Sequence, residues 1–344
     1  MPIKGNQTET GKAFEYACAT AIHSMLNEPS ITNDRPYTNI INARESSICY
    51  FEDSPQAHTA QKCFYSLSSE QQKNYRLGAS AAIKILKRLE PQLTNGKGPL
   101  RIVLQPDSEG IEGDVRDVLC IRNDQWEIGL SCKHNHEAVK HSRLSDIIDF
   151  GQKWFNRPCS DNYFAAVKRV FVPLRTQRDY YRDLGQPIPT WASIQDKDES
   201  VYKPVLNAFT SELKRLDSNY PNEIPAKLIR YLVGRNDFYK VIMDEGRRYT
   251  KIESININGT LNQPAGKNKS IIDVPILKMP TKFYEIDYKD GSKNTVIVVC
   301  DNGWNISMRI HNASSRIEPS LKFDVQLLAM PQSILTQIEP WDYD

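Results

Sequence analysis

Two aspartates and a lysine stand close together in the segment GDVRDVLCIRNDQWEIGLSCK at residues 113–133: Asp114, Asp117 and Lys133. VLCI is a compact β-type run and Asn123 and Asp124 supply turn chemistry. After them Trp126, Ile128, Leu130 and Cys132 alternate with Glu127, Gly129, Ser131 and Lys133. The pattern predicts a hairpin with one dry face and one polar face, acids at the head of one strand and a lysine on the polar face of the next. A magnesium-dependent phosphodiester nuclease needs that arrangement. Carboxylates hold a hard cation, the metal lowers the pKa of a bound water and screens the phosphate, and the lysine positions the water or stabilises developing charge. Acids flanking a hairpin also arise as plain surface charge, so the chemistry depends on the elements that position the hairpin.

The elements are those of an ordinary folded protein. The chain has 344 residues, 40% hydrophobic and 25% charged, enough for one large or two moderate domains. There is no run of some 18 apolar residues and no apolar signal core at the N-terminus, which predicts a cytoplasmic protein with no membrane partner. Seven cysteines without a CxxC pair predict reduced thiols. Net charge is +2, but residues 131–190 hold ten Lys/Arg against six Asp/Glu. Periodicity predicts a buried helix over 11–27, a helical block over 56–90, a strand at 101–105, the hairpin, a helix over 138–156, a strand at 168–174, and helices near 200–216 and 222–247. Short β-type runs then alternate with NG, PAG, KDG and DNG turn signals. The expected fold class is α/β (α+β), with a core at 1–248 carrying helical insertions and a mostly antiparallel β unit at 249–344.

The order α, three strands, α, strand around the hairpin resembles the αβββαβ core of the PD-(D/E)xK nucleases, and Glu15 in GKAFE sits where that superfamily often keeps an acid on its first helix. The strings EIGLSCKHNHEAVKHSRLS (127–145) and DNGWNISMRIHNASSRIEPSLKFDVQL (301–327) resemble the HaeIII-type family of type II restriction endonucleases. That resemblance implies Mg2+-dependent cleavage of double-stranded DNA at a short GC-rich palindrome, GGCC in the family's namesake. It also implies 5′-phosphate ends, a bacterial cytoplasm and a cognate DNA methyltransferase. A palindromic site favours a homodimer, because twofold protein symmetry mirrors the site.

Carried over residue by residue, Asp117 or Asp114 stands for the first acid, Ser131 stands where the (D/E) would be, and Lys133 is the motif lysine. A serine supplies no charged ligand, so the resemblance leaves the second acid among Glu137, Asp146, Asp149 and Glu15. Loop length separates the two aspartates. A two-residue loop at 123–124 sets Asp114 opposite Lys133, and a three-residue loop at 123–125 sets Asp117 opposite Ser131. Asp117 is favoured because it leads straight into an apolar strand, as the superfamily's aspartate usually does. In that register Asp114 is free to cap the turn after Gly113.

Two clusters suit DNA contacts. His134, Asn135, His136, Lys140, His141, Ser142 and Arg143 follow the motif lysine, and basic and amide groups there can neutralise backbone phosphates. The histidines lack cysteine or acid partners at zinc spacing. Arg309, His311, Asn312, Ser314, Ser315 and Arg316 crowd a strand end and its turn, where guanidinium and amide groups can read guanine and other base edges. A DNA-binding protein of nuclease descent that has lost catalysis is the alternative, motivated by Ser131. An unrelated α/β enzyme would need a phosphate loop, a nucleophile elbow or a HExxH pair, which the sequence lacks.

Overall fold

The computed structural model describes residues 7–27, 48–106, 114–123, 125–134, 138–312 and 314–342. Its helices are α1 (Gln7–Asn27), α2 (Pro55–Tyr65), α3 (Ser69–Leu89), α4 (Pro91–Asn95), α5 (Phe150–Phe155), α6 (Asp161–Asp183), α7 (Lys203–Asn219) and α8 (Ile224–Leu232). Its strands are β1 (Cys49–Phe51), β2 (Leu100–Leu104), β3 (Val118–Arg122), β4 (Trp126–His134), β5 (Ala138–Leu144), β6 (Phe238–Asp244), β7 (Tyr249–Ile255), β8 (Phe283–Tyr288), β9 (Thr295–Cys300), β10 (Asn305–Asn312), β11 (Leu321–Ala329) and β12 (Thr336–Pro340). Among the described residues no helix is long and apolar enough to cross a membrane, and all seven cysteines are free thiols.

The first unit comprises Met1–Glu137, Asn236–Leu277 and Ser333–Asp344. Its sheet runs β1-β2-β3-β4-β6-β7-β12. β2, β3 and β4 form an antiparallel meander and β6 joins β4 in parallel. Helix α1 buries Phe14, Cys18 and Ile22, one turn apart, and α3 starts in a capping box between Ser68 and Gln71. Both helices pack on one face of the sheet, in a core that includes Val118, Cys120, Ile128, Leu130, Cys132, Tyr239, Val241 and Met243. Period-two alternation therefore leaves Ser131 and Lys133 on the opposite face. Within this unit α1, the three-stranded meander and the parallel strand β6 are consistent with an α/β nuclease-like core.

The second unit comprises Ala138–Arg235 and Lys278–Gln332. Its antiparallel sheet runs β5-β11-β10-β9-β8. Aromatic rings fill its core: Trp154 stacks on Tyr231 at 4.8 Å, and Phe209 lies 5.0 Å from Phe323.

Several expected boundaries move. Residues 138–144 form a strand because they pair with Leu321–Gln326 of β11, and only Phe150–Phe155 of the expected 138–156 helix is helical. Residues 168–174 lie inside α6, where Tyr163, Val167, Phe171 and Leu174 are buried at one-turn spacing; helical burial wins over the β propensity of VFV. The helix expected over 222–247 ends at Leu232, and FYKVIMD becomes β6, a near-continuously buried strand flanked by two others. The last strand of the αβββαβ order is thus 238–244 instead of 168–174. The chain also passes between units more than once, whereas a single division near 249 was expected. Tyr249 starts β7, which pairs with β6 within the first unit, and the five-stranded sheet takes β5 from before that point.

Candidate active site

The hairpin adopts the three-residue register, with pairs running from Val118↔Leu130 to Arg122↔Trp126 and the turn closed by the Gln125 amide donating to the Arg122 carbonyl. This brings Asp117 against the end of β4. Its amide donates to the Leu130 carbonyl at 2.7 Å, and its Oδ2 accepts from the Cys132 amide at 2.7 Å and from Lys133 Nζ at 3.3 Å. The Asp117 and Lys133 side chains are 24% and 15% exposed, so the pair is sheltered yet open to solvent. Burial works against the charge on Lys133, but the carboxylates of Asp117 and then Glu15 outweigh it and hold its ammonium above the usual lysine value.

Glu15 reaches this group through α1. Cys18, one turn further along, meets the Cys132 thiol; that hydrogen bond, then burial, raises the Cys132 pKa well above the ordinary thiol value. Helix α1 packs against β4, and the charge of Glu15 falls on Lys133. Ser131 is buried, 2% exposed.

Asp114 is directed elsewhere. Its oxygens bind Arg116 Nε at 2.8 Å and Nη2 at 2.7 Å, and Asn236 Nδ2 at 3.1 Å. Burial opposes its charge, but these hydrogen bonds prevail and lower its pKa. Arg116 goes on to pair with Glu127, crossing Gly129, where an added Cβ would overlap the arginine side chain. Gly129 is a strand glycine because another side chain crosses its backbone closely. Sequence reading missed both Arg116 and this use of Gly129, although a glycine in an otherwise alternating strand was the available signal.

Of the alternative acids, Asp146 is buried and bound to Arg175, and Asp149 caps α5 by accepting from the Gln152 amide. Both belong to the second unit; Glu137 lies outside the described residues. Glu245 was not anticipated. It accepts from Asn74 at 2.9 Å and lies 3.2 Å from His134 Nε2, whose ring is 5.1 Å from that of Tyr75. His134 is therefore engaged within its own unit. Among the described residues no three His, Cys, Asp or Glu side chains gather closely enough to hold a metal by themselves. The donor chemistry suits magnesium even so, since that ion keeps several waters and takes one or two carboxylates plus substrate phosphate instead of a protein cage.

Asn135 and His136 lie outside the described residues, as do the side chains of Lys140 and His141 on β5. Arg143, also on β5, is exposed, and its Nη1 lies 3.6 Å from Glu318. In the C-terminal cluster Arg309, 55% exposed, pairs across the strands with Asp324 at 2.8 Å. His311 turns inward: its Nδ1 is 2.8 Å from the Asn312 carbonyl, and burial lowers its pKa. Asn312 spends its amide on the Ser314 carbonyl and its oxygen on the Tyr202 hydroxyl. Arg316 is exposed on a segment fixed by its bridge to Thr190.

A family model described as HaeIII restriction endonuclease matches residues 11–331. The Type II restriction enzyme HaeIII of Haemophilus aegyptius is 41% identical over 341 residues, covering 99% of this chain and 100% of that protein. No solved structure matches. With a match running through α1, the Asp117–Lys133 hairpin and the five-stranded sheet, the chain belongs to the HaeIII restriction endonuclease family.

Proposed function

We propose that this family member cleaves double-stranded DNA site-specifically with Mg2+, at a short GC-rich palindrome resembling GGCC, and leaves 5′-phosphate ends. The observation that carries the reading is the Asp117 carboxylate held between the Cys132 amide and the Lys133 ammonium, with the charge of Glu15 on the same lysine. Asp117 and Glu15 are the residues that would hold the cation, with Asp114 outside the pair. When bound, magnesium supplies Lewis-acid polarisation of the phosphate and an acidified water. Asp117 is oriented for this by a backbone donor that fixes its Oδ2. Lys133, kept charged at neutral pH, is a hydrogen-bond donor and electrostatic stabiliser and not a proton acceptor.

A twofold dimer on a palindromic site, and a methyltransferase protecting the host's own sites, complete the proposal. Arg309 is the proposed base-reading residue of β10, and Arg143, Lys140 and His141 are the proposed backbone contacts of β5. The test is incubation with a plasmid containing GGCC sites, with magnesium or with chelator, followed by ligation of the products without a kinase step. Discrete fragments that form only with magnesium and religate directly are expected. Binding without any cleavage would overturn the proposal in favour of a DNA-binding protein of nuclease descent.

A further inference from the structure

Within the second unit, Arg143 of β5, Arg175 and Arg178 of α6, and Arg316 beyond β10 line one groove of about 600 Å³. The guanidinium groups are held in different ways. Asp146, 5% exposed, grips Arg175 through both carboxylate oxygens, so the plane of that guanidinium is fixed from behind. Arg178 is oriented by Asp179, whose Oδ1 takes its Nε at 2.9 Å and its Nη2 at 2.8 Å. Among the described residues Arg143 makes only long contacts, 3.5 Å to Ser320 Oγ and 3.6 Å to Glu318. Among the described residues Arg316 makes no ion pair, while its carbonyl accepts from Ser314 Oγ at 2.7 Å and the next amide donates to Pro189, so a loose side chain stands on a fixed backbone.

Buried or flanking carboxylates that fix arginines leave the outward N–H groups preorganised, and guanidinium forks match phosphodiester oxygens. Hydroxyls of Ser145, Ser314 and Ser315 line the same groove, and exposed Ile147 lies on its wall, offering an apolar surface to sugar. We propose that this groove is a phosphodiester-binding site that grips the backbone of duplex DNA, with Arg178 and Arg316 as contacts and Asp146 as the positioning residue for Arg175. The proposal rests on the nuclease reading and adds the place of backbone contact, since neither α6 arginine was singled out by sequence.

The test is fluorescence anisotropy in calcium on a short duplex lacking GGCC and on one containing it, across a salt series, for the wild type and an Arg178→Ala/Arg316→Ala variant. Each backbone contact contributes about 0.9 to the slope of log K against log salt, so the variant should lose roughly two units of slope and weaken equally on both duplexes. Arg316→Glu should weaken binding further than Arg316→Ala, with unchanged thermal unfolding reporting an intact fold. An unchanged slope in the double variant, while wild-type protein still binds and cuts the GGCC duplex, overturns the groove assignment alone; wild-type protein that neither binds nor cuts overturns the nuclease reading itself. Loss confined to the GGCC duplex would make these arginines base readers and also overturn the proposal.

Discussion

At the scale of single residues, the proposed function gives Lys133 and Asp117 separate tasks. The ammonium is sustained by two carboxylates and, in the proposed reaction, acts as a donor, so Lys133→Ala should lower single-turnover cleavage by about 10²–10³-fold while binding to the GGCC duplex in calcium is retained. Near-wild-type cleavage would remove the hairpin from the active site. Asp117→Asn keeps the shape and loses the charge, so raising magnesium should recover part of its activity, with the metal dependence shifted to higher concentration. Asp114→Asn should leave that dependence in place, because Asp114 binds Arg116 and Asn236 instead of Lys133. A larger magnesium shift for Asp114→Asn than for Asp117→Asn would show the acids have been assigned the wrong way round.

At the scale of elements, the hairpin and its supports answer to different perturbations. Gly129→Ala pushes Arg116 off β4, so cleavage should fall although no reacting group is altered, and Gly129→Ala/Arg116→Ala should recover folding stability relative to Gly129→Ala. Failure of the second change to relieve the first would place the defect elsewhere. At the end of α3, burial pushes the Glu90 carboxyl up to about 7, although the Asn262 amide and Tyr239 hydroxyl bind the same oxygen. Between its ordinary value of 4.5 and about 7 the folded protein holds a proton that the unfolded chain has released. That contribution to stability, about 3 kcal/mol on the difference in pKa, is present below the unfolded value and lost as pH rises through the window. Glu90→Gln should therefore raise the urea midpoint above neutrality and change it little below about pH 4.5; an equal effect at both pH values would show that Glu90 is ionised throughout.

At the scale of the whole molecule, the proposed hydrolytic pair belongs to one unit and the proposed base reader to the other, so cutting and reading should separate by mutation. Arg309→Ala should cost about 1–3 kcal/mol on the GGCC duplex and much less on a scrambled one, the scale of one bidentate base contact. Equal losses on both would reduce Arg309 to a backbone contact. The sequence by itself determined the mixed α/β class, the buried first helix, the hairpin at 117–133 and the strand-and-turn texture beyond residue 249, because these depend on local turns and on periods of two or 3.6 residues. It also favoured Asp117, because that residue leads straight into the apolar run VLCI, while loop length left the register open until the structure showed the three-residue turn. Tertiary structure decided what local pattern left open. FYKVIMD satisfies either period until β4 and β7 flank it and bury both its faces. Residues 138–144 extend because β11, nearly two hundred positions later, offers hydrogen bonds. Glu245 reaches His134 only once distant segments have been brought together; such a contact leaves no periodic trace, because the groups that make it are chosen by proximity in the fold and not by spacing along the chain.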